Sequence, residues 1–108
     1  VRACRQGTPH LARVEVEVTT SDQLEEAIEA GAEVVMLDNM SPAEVRQAVE
    51  KAAGRCRLEA SGGVTAENVV DYAEAGVDFI SMGALTHSVR ASDISLELSA
   101  TTDCRITC

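Results

Sequence analysis

Apolar and polar residues follow one pattern that occurs three times along this chain and begins a fourth time. A short run rich in Val, Ile, Leu or Met leads into a turn, and residues that are apolar at every third or fourth position follow. The first part is typical of a strand and the second of an amphipathic helix. Strands are predicted at 14–18, 34–37, 57–60 and 79–82.

Three helices are predicted between these strands, and residues 1–7 resemble the end of another. Ser41, Pro42 and Glu44 form a strong helix start, with an N-cap, a proline at the first helical position and an acid that reaches back. The third helix is expected to begin at a Thr65 cap and to end at Gly76. The predicted buried positions are Leu24, Ala27 and Ile28, then Val45, Ala48, Val49 and Ala52, then Val69, Tyr72 and Ala73.

The spacing of these elements predicts the fold class. The strands begin about 20 to 23 residues apart with a helix between each pair, which requires parallel pairing through right-handed crossovers. Residues 29–35 and 74–80 repeat one sequence unit of helix end, glycine, acid and strand. A barrel or a doubly wound sheet would fit, and the brief connections and short strands favour the barrel. We therefore predict an α/β fold with parallel βα repeats that form part of a TIM-like α/β barrel.

Alternation along each strand separates an apolar row, facing the helices, from a mostly polar row. The polar row ends at the C-terminal rim of the strands with Glu17, Asp38, Ser61 and Gly83. Active sites of α/β barrels lie at this rim, so we expect Glu17 and Asp38 to contact a ligand or a metal. Asp38 followed by Asn39 is equally typical of an ordinary loop.

Two deeper carboxylates of the polar row, Glu15 and Glu59, are expected to have a structural role. A buried, unpaired carboxylate costs several kcal/mol, so each should meet a cation, a hydroxyl or a metal. We expect arginines of neighbouring strands to be their partners.

Two glycine loops are candidates for anion binding. Ser61, Gly62 and Gly63 precede the predicted helix start at Thr65, where free amides and the helix dipole favour a phosphate. The loop 83–88 offers a second set of donors and includes His87. An isolated Ser-Gly-Gly more often serves turn geometry, and an isolated histidine more often lies at the surface.

Composition limits the class of protein. The net charge of −9 and the presence of one Phe, one Tyr and no Trp argue against a nucleic-acid surface. The apolar runs are too short for a membrane span, and the N-terminal residues lack signal-peptide features, so a cytoplasmic protein is expected. The four cysteines form no CxxC pair, which favours reduced thiols over a zinc site. At 108 residues the chain is shorter than the roughly 250 of a complete barrel.

Four motifs in order resemble the quinolinate phosphoribosyltransferase family, the carboxylating nicotinate-nucleotide pyrophosphorylases. They lie at 14–18, 36–40, 58–63 and 81–88, and the resemblance extends over about 2–98. It implies an N-terminal α/β sandwich domain followed by an incomplete α/β barrel, which works as a homodimer with Mg²⁺. The reaction it implies converts quinolinate and phosphoribosyl pyrophosphate to nicotinate mononucleotide, CO2 and pyrophosphate in NAD biosynthesis.

The resemblance also implies roles for the rim residues. Glu17 and Asp38 would bind the ribose hydroxyls and the metal-associated diphosphate, and the phosphates would be held by Ser61, Gly62, Gly83 and His87. Residues 1–98 would be the C-terminal part of the barrel, and 99–108 a tail of unknown role. The sandwich domain, the first barrel strands and most residues that grip the pyridine dicarboxylate would lie upstream.

Two other readings stay open. A non-catalytic half-barrel would self-associate through its unpaired sheet edges. A related pyrophosphorylase acting on another aromatic acid would share the same rim, because the residues that select the acid lie outside this chain.

Overall fold

A computed structural model of the chain describes residues 1–83. The elements are α1 (Arg2–Gly7), β1 (Glu15–Val18), α2 (Ser21–Glu29), β2 (Val34–Asp38), α3 (Pro42–Ala52), β3 (Arg57–Ser61), α4 (Val69–Ala75) and β4 (Phe79–Ile80). The predicted alternation of strand and helix is confirmed, although β4 ends two residues earlier than expected. No helix in this part of the chain has the length and apolar character needed to cross a bilayer.

The four strands form one parallel sheet in the order β1-β2-β3-β4. Strand residues of one face pack with α2, α3 and α4 in a single core, whereas no helix within residues 1–83 covers the other face. A doubly wound sheet would carry helices on both faces and reverse its strand order. Sequential order with one helical layer is the arrangement of a barrel segment.

The core confirms the predicted orientation of the strands. Leu24, Val35, Leu37 and Val45 are fully buried, and Leu58 and Ala60 join them from β3. Val16, Ile28, Val49, Ile80 and Met82 are partly buried and pack against this cluster. The opposite face of the sheet, the open face, carries the polar row.

Local start and stop signals explain most of the helix boundaries. The Ser41 side chain accepts a hydrogen bond from the Glu44 amide, and the Glu44 carboxylate accepts from the Ser41 amide, which completes the predicted capping box of α3. Gly76 ends α4 with a φ of 96°, a left-handed conformation that glycine adopts without a Cβ penalty.

The predicted start of α4 is wrong. The helix begins at Val69, because Asn68 builds a turn before it: its Oδ1 accepts from the Thr65 amide at 2.7 Å, and its Nδ2 donates to the Gly63 carbonyl at 3.0 Å. The later start also changes the buried face. Tyr72 and Ala75 are buried, and Ala73, predicted to be buried, is exposed.

The repeated sequence unit has a structural purpose at the N-terminal end of the sheet. Glu33, just before β2, accepts a hydrogen bond from the Val14 amide at 3.1 Å, and Asp78, just before β4, accepts from the Leu58 amide at 2.9 Å. In both copies, the acid satisfies a backbone N–H at the start of the neighbouring strand. These carboxylates therefore support the sheet itself.

Candidate functional site

The register of the sheet puts three of the predicted site residues on one face near its C-terminal end. Asp38 of β2 lies opposite Ser61 of β3, and Glu17 of β1 lies level with Met36 and Glu59, two residues before the level of Asp38. Because side chains alternate, residues 36 and 38 share a face, so Glu17, Asp38 and Ser61 all lie on the open face. This is the end of the sheet where α/β barrels bind their ligands.

Asn39 connects Asp38 to the glycine turn after β3. Its backbone has a φ of 54°, its amide donates to the Ser61 carbonyl at 2.9 Å, and its Nδ2 donates to Asp38 Oδ2 at 2.9 Å. Gly62 has a φ of 77°, and a Cβ on it would lie 2.6 Å from Asn39 Oδ1. Glycine is therefore required at Gly62 both by its backbone conformation and by its neighbour.

Met40 and Tyr72 fix the same segment to the core. The Met40 side chain is buried, and the buried Tyr72 hydroxyl donates to the Met40 carbonyl at 2.9 Å. A buried hydroxyl needs such a partner, and this bond ties the rim to α4. The segment after Asp38 is thus held at two points, at the Asn39 amide by Ser61 and at the Met40 carbonyl by Tyr72. The sequence suggested Tyr72 only as a core residue.

The glycine turn differs from the predicted phosphate cradle. Since α4 begins at Val69, no helix amide follows Gly63 directly, and the Thr65 amide is already bonded to Asn68. Gly63 itself has a φ of 66° with open space around its missing Cβ. Anion binding here would therefore depend on Ser61 and the turn residues rather than on a helix N-terminus.

Among the described residues, no arginine pairs with Glu15 or Glu59. Glu59 Oε1 accepts a hydrogen bond from the Ser81 hydroxyl, and Arg57 on the same strand lies over the Phe79 ring, 5.8 Å from its centroid. Within residues 1–83, the ion pairs instead join Glu25 to Lys51 and Arg55 on the helical side. For Glu59, the expectation of a hydroxyl partner is confirmed.

Glu15 and Glu59 interact with each other across the open face. Loss of solvation, the charge of Glu59 and a hydrogen bond to Glu59 together raise the pKa of the Glu15 carboxyl. Each of these effects favours the protonated form of Glu15. The two carboxyls of the open face therefore repel each other when both are charged.

The remaining predicted site residues lie at the limit of the described chain. Gly83 follows β4 by three residues, and the Ser81 amide still donates to the Ala60 carbonyl at 2.9 Å, which keeps this segment beside β3. His87 and the tail at 99–108 lie outside the described residues.

The acids on the open face could hold a cation only if a substrate or water supplied the rest of its ligands. In the part of the chain that the structure describes, no three His, Cys, Asp or Glu side chains converge as a metal cage. Mg²⁺ is commonly bound by one or two carboxylates together with substrate phosphates and waters. Glu17 and Asp38, on neighbouring strands of one rim, match that donor set.

Comparison with known proteins gives consistent matches. Residues 1–97 match the family model described as quinolinate phosphoribosyl transferase, C-terminal domain. A probable nicotinate-nucleotide pyrophosphorylase [carboxylating] of Bacillus subtilis is 43% identical over 98 residues, which is 91% of this chain and 34% of that protein. The human nicotinate-nucleotide pyrophosphorylase [carboxylating] is 39% identical over 103 residues, 93% of this chain and 35% of that protein.

Solved structures agree with the sequence matches. The nicotinate-nucleotide pyrophosphorylase from Francisella tularensis superposes with a TM-score of 0.71 at 44% identity, covering 79% of this chain and 30% of that one. A structure described as a NadC deletion mutant gives a TM-score of 0.75 at 39% identity, covering 82% of this chain and 31% of that one. The chain thus spans about a third of the length of the curated relatives it matches.

Proposed function

We propose, from the premise that the chain belongs to the quinolinate phosphoribosyl transferase C-terminal domain family, that it forms part of the barrel of a carboxylating nicotinate-nucleotide pyrophosphorylase. The enzyme would transfer the phosphoribosyl group of phosphoribosyl pyrophosphate to quinolinate. The products are nicotinate mononucleotide, CO2 and pyrophosphate.

The observation that carries this proposal is that Asp38 and Ser61 face each other at the C-terminal end of the sheet, with Glu17 on the same open face two residues below them. Phosphoribosyl pyrophosphate presents two vicinal hydroxyls and several phosphates. Carboxylates accept hydrogen bonds from hydroxyls, and a serine hydroxyl with a glycine turn can donate to phosphate oxygens. Glu17 and Asp38 would bind the ribose and Ser61 and Gly62 a phosphate, with Gly83 and His87 as further phosphate contacts.

Mg²⁺ would complete the acidic side of this rim. Bound with the diphosphate, the ion would neutralise charge on the leaving pyrophosphate. Glu17 and Asp38 would hold it through their carboxylates, directly or through water. We expect chelation to abolish turnover and added Mg²⁺ to restore it.

Assembly and location are further parts of the proposal. Among the described strands, β1 and β4 are the edges of the sheet, and in a complete barrel further strands would pair with both. We propose that the full-length protein is a cytoplasmic homodimer. Sedimentation and cell fractionation of the full-length protein test these two statements.

The activity test uses the full-length protein with quinolinate, phosphoribosyl pyrophosphate and Mg²⁺. Nicotinate mononucleotide and CO2 are expected in equal amounts. No product from quinolinate, with product from another aromatic acid, would favour the related pyrophosphorylase instead. No product from any such acid would favour the non-catalytic reading.

A pair of variants tests the rim. Glu17→Gln should lower kcat/KM for phosphoribosyl pyrophosphate by about tenfold to a hundredfold, the usual worth of a hydrogen bond to a charged group. Glu29→Gln removes the same charge from the exposed end of α2 and should leave turnover unchanged. Equal activity of the two variants would contradict the proposed role of Glu17.

A further inference from the structure

We infer that Asn39 is a positioning residue that fixes the Asp38 carboxylate relative to the Gly62 turn. The inference rests on the proposed function, in which Asp38 contacts the ribose or the metal-bound diphosphate. Asn39 itself need not touch substrate. Its effect would pass through the carboxylate that its side chain holds.

The first support is the conformation of Asn39. Its φ of 54° is a left-handed backbone, which few residues other than Gly, Asn and Asp adopt at low cost. Among these, asparagine alone has both tolerance for this conformation and a side-chain N–H donor. That donor is used, because Nδ2 lies 2.9 Å from Asp38 Oδ2.

The second support is that the backbone on both sides of the Asn39 side chain is fixed, so its side-chain amide has little freedom to move. The backbone N–H is held by the Ser61 carbonyl at 2.9 Å, and the next residue, Met40, is anchored by the Tyr72 hydroxyl at 2.9 Å. The side chain packs against Gly62, where even a methyl group would come within 2.6 Å of Oδ1. A donor fixed in this way restricts the rotation of the carboxylate it contacts.

The third support is the position of Asp38 at the end of its strand. A short side chain at a half-exposed rim would otherwise sample several rotamers. Binding a hydroxyl or a hydrated ion then costs the entropy of selecting one rotamer. The Asn39 contact removes that cost before the substrate arrives, which is how preorganisation increases affinity and rate.

The test is a double-mutant cycle in the full-length protein with Asn39→Gly, Asp38→Asn and the combined variant. Glycine keeps the left-handed backbone and removes only the side chain. Ala53→Gly is the matched control, because Ala53 has a φ of 49° at the C-terminal end of α3, near the opposite end of the sheet.

If Asn39 acts through Asp38, Asn39→Gly lowers kcat/KM for phosphoribosyl pyrophosphate by about tenfold, the lower range for a hydrogen bond to a charged group. The KM for quinolinate and the melting temperature stay unchanged. The combined variant is no slower than Asp38→Asn alone, since the two residues work as one unit. Ala53→Gly keeps full activity.

Three results would overturn the inference, and they differ in their consequence for the proposed role of Asp38. Full activity of Asn39→Gly beside a strongly impaired Asp38→Asn removes only the positioning role. Full activity of Asp38→Asn removes the proposed role of Asp38 as well. Multiplicative losses in the combined variant would show that Asn39 acts independently of Asp38, which also contradicts the inference.

Discussion

The two ends of the sheet use their carboxylates in opposite ways. At the N-terminal end, Glu33 and Asp78 each accept a backbone N–H from the neighbouring strand. At the C-terminal rim, Asp38 meets only the Asn39 side chain among the described residues, and Glu17 has neither a hydrogen bond nor an ion pair there. Acids at the N-terminal end therefore complete the sheet, whereas those at the other end satisfy no strand amide, which is consistent with the ligand role we propose for them.

This difference follows from the parallel strands. Strand amides at the N-terminal end lack a partner where the chain enters from a helix, and an acid placed before the next strand satisfies them. At the C-terminal end of parallel sheets the loops form the ligand sites of α/β barrels, and here Asp38 accepts a hydrogen bond from a side chain and not from a strand amide. Function is best sought where an acid has no structural task.

The largest expected effect is that of Gly62→Ala at the rim. The new Cβ would lie 2.6 Å from Asn39 Oδ1 and 2.9 Å from the backbone nitrogen of Asn39, and the φ of 77° at Gly62 adds strain. We expect the free energy of unfolding to fall by about 3 kcal/mol in chemical denaturation.

Gly63→Ala is the matched control, because Gly63 has a φ of 66° and no atom near its missing Cβ. Only backbone strain applies, so a loss of about 1 kcal/mol is expected. Equal losses for the two variants would show that the contact between Asn39 and Gly62 contributes nothing.

Asp78→Ala tests the N-terminal end of the sheet. It leaves the Leu58 amide without its acceptor, so the free energy of unfolding should fall by about 1–3 kcal/mol while kcat/KM is unchanged. Glu74→Ala, an exposed position on α4, should change stability by less than about 0.5 kcal/mol. If Asp78→Ala folded but lost turnover, the acids at the N-terminal end would not be purely structural, which would contradict the difference between the two ends.

A smaller effect is expected for Glu15→Gln, on the open face at the start of β1. The folded protein raises the pKa of Glu15 from its ordinary value of 4.5, so its protonated form is favoured, and stability falls as pH rises through the interval above 4.5. Glutamine removes this term. The variant should be more stable than the wild type at neutral pH and equal to it below pH 4.5.

Unfolding at several pH values checks this prediction. Glu26→Gln is the control, since it removes the same charge from an exposed position on α2, away from Glu59. A stability difference between Glu15→Gln and the wild type that did not vary with pH would contradict the coupling of Glu15 to Glu59.

Much of the fold could be predicted from the sequence because the signals were local. The capping box at Ser41 and the alternation along β1 to β3 each require only a few neighbouring residues. The start of α4 was missed because Asn68 competes with Thr65 for the same turn, and propensity alone does not decide between them.

The residues of the candidate site could be predicted from the sequence, but the hydrogen bonds that hold them in place could not. The alternation and the family motifs predicted Glu17, Asp38 and Ser61 on one face of the sheet, and the strand pairing puts all three on the open face, with Glu17 level with Met36 and Glu59. The hydrogen bonds that Asn39 and Tyr72 make to this segment join residues from different elements, so no local pattern carries them. The Ser81 partner of Glu59 lies on the segment after β4, so the sequence next to Glu59 does not reveal it.

The most direct test of the division between the two ends measures turnover and stability together in Asp38→Asn and Asp78→Ala of the full-length protein. We predict that Asp38→Asn lowers kcat/KM for phosphoribosyl pyrophosphate by about a hundredfold, with a free energy of unfolding within about 0.5 kcal/mol of the wild type. Asp78→Ala should lower the free energy of unfolding by about 1–3 kcal/mol and leave kcat/KM unchanged. An active Asp38→Asn protein, or one that is inactive only because it unfolds, would contradict the account.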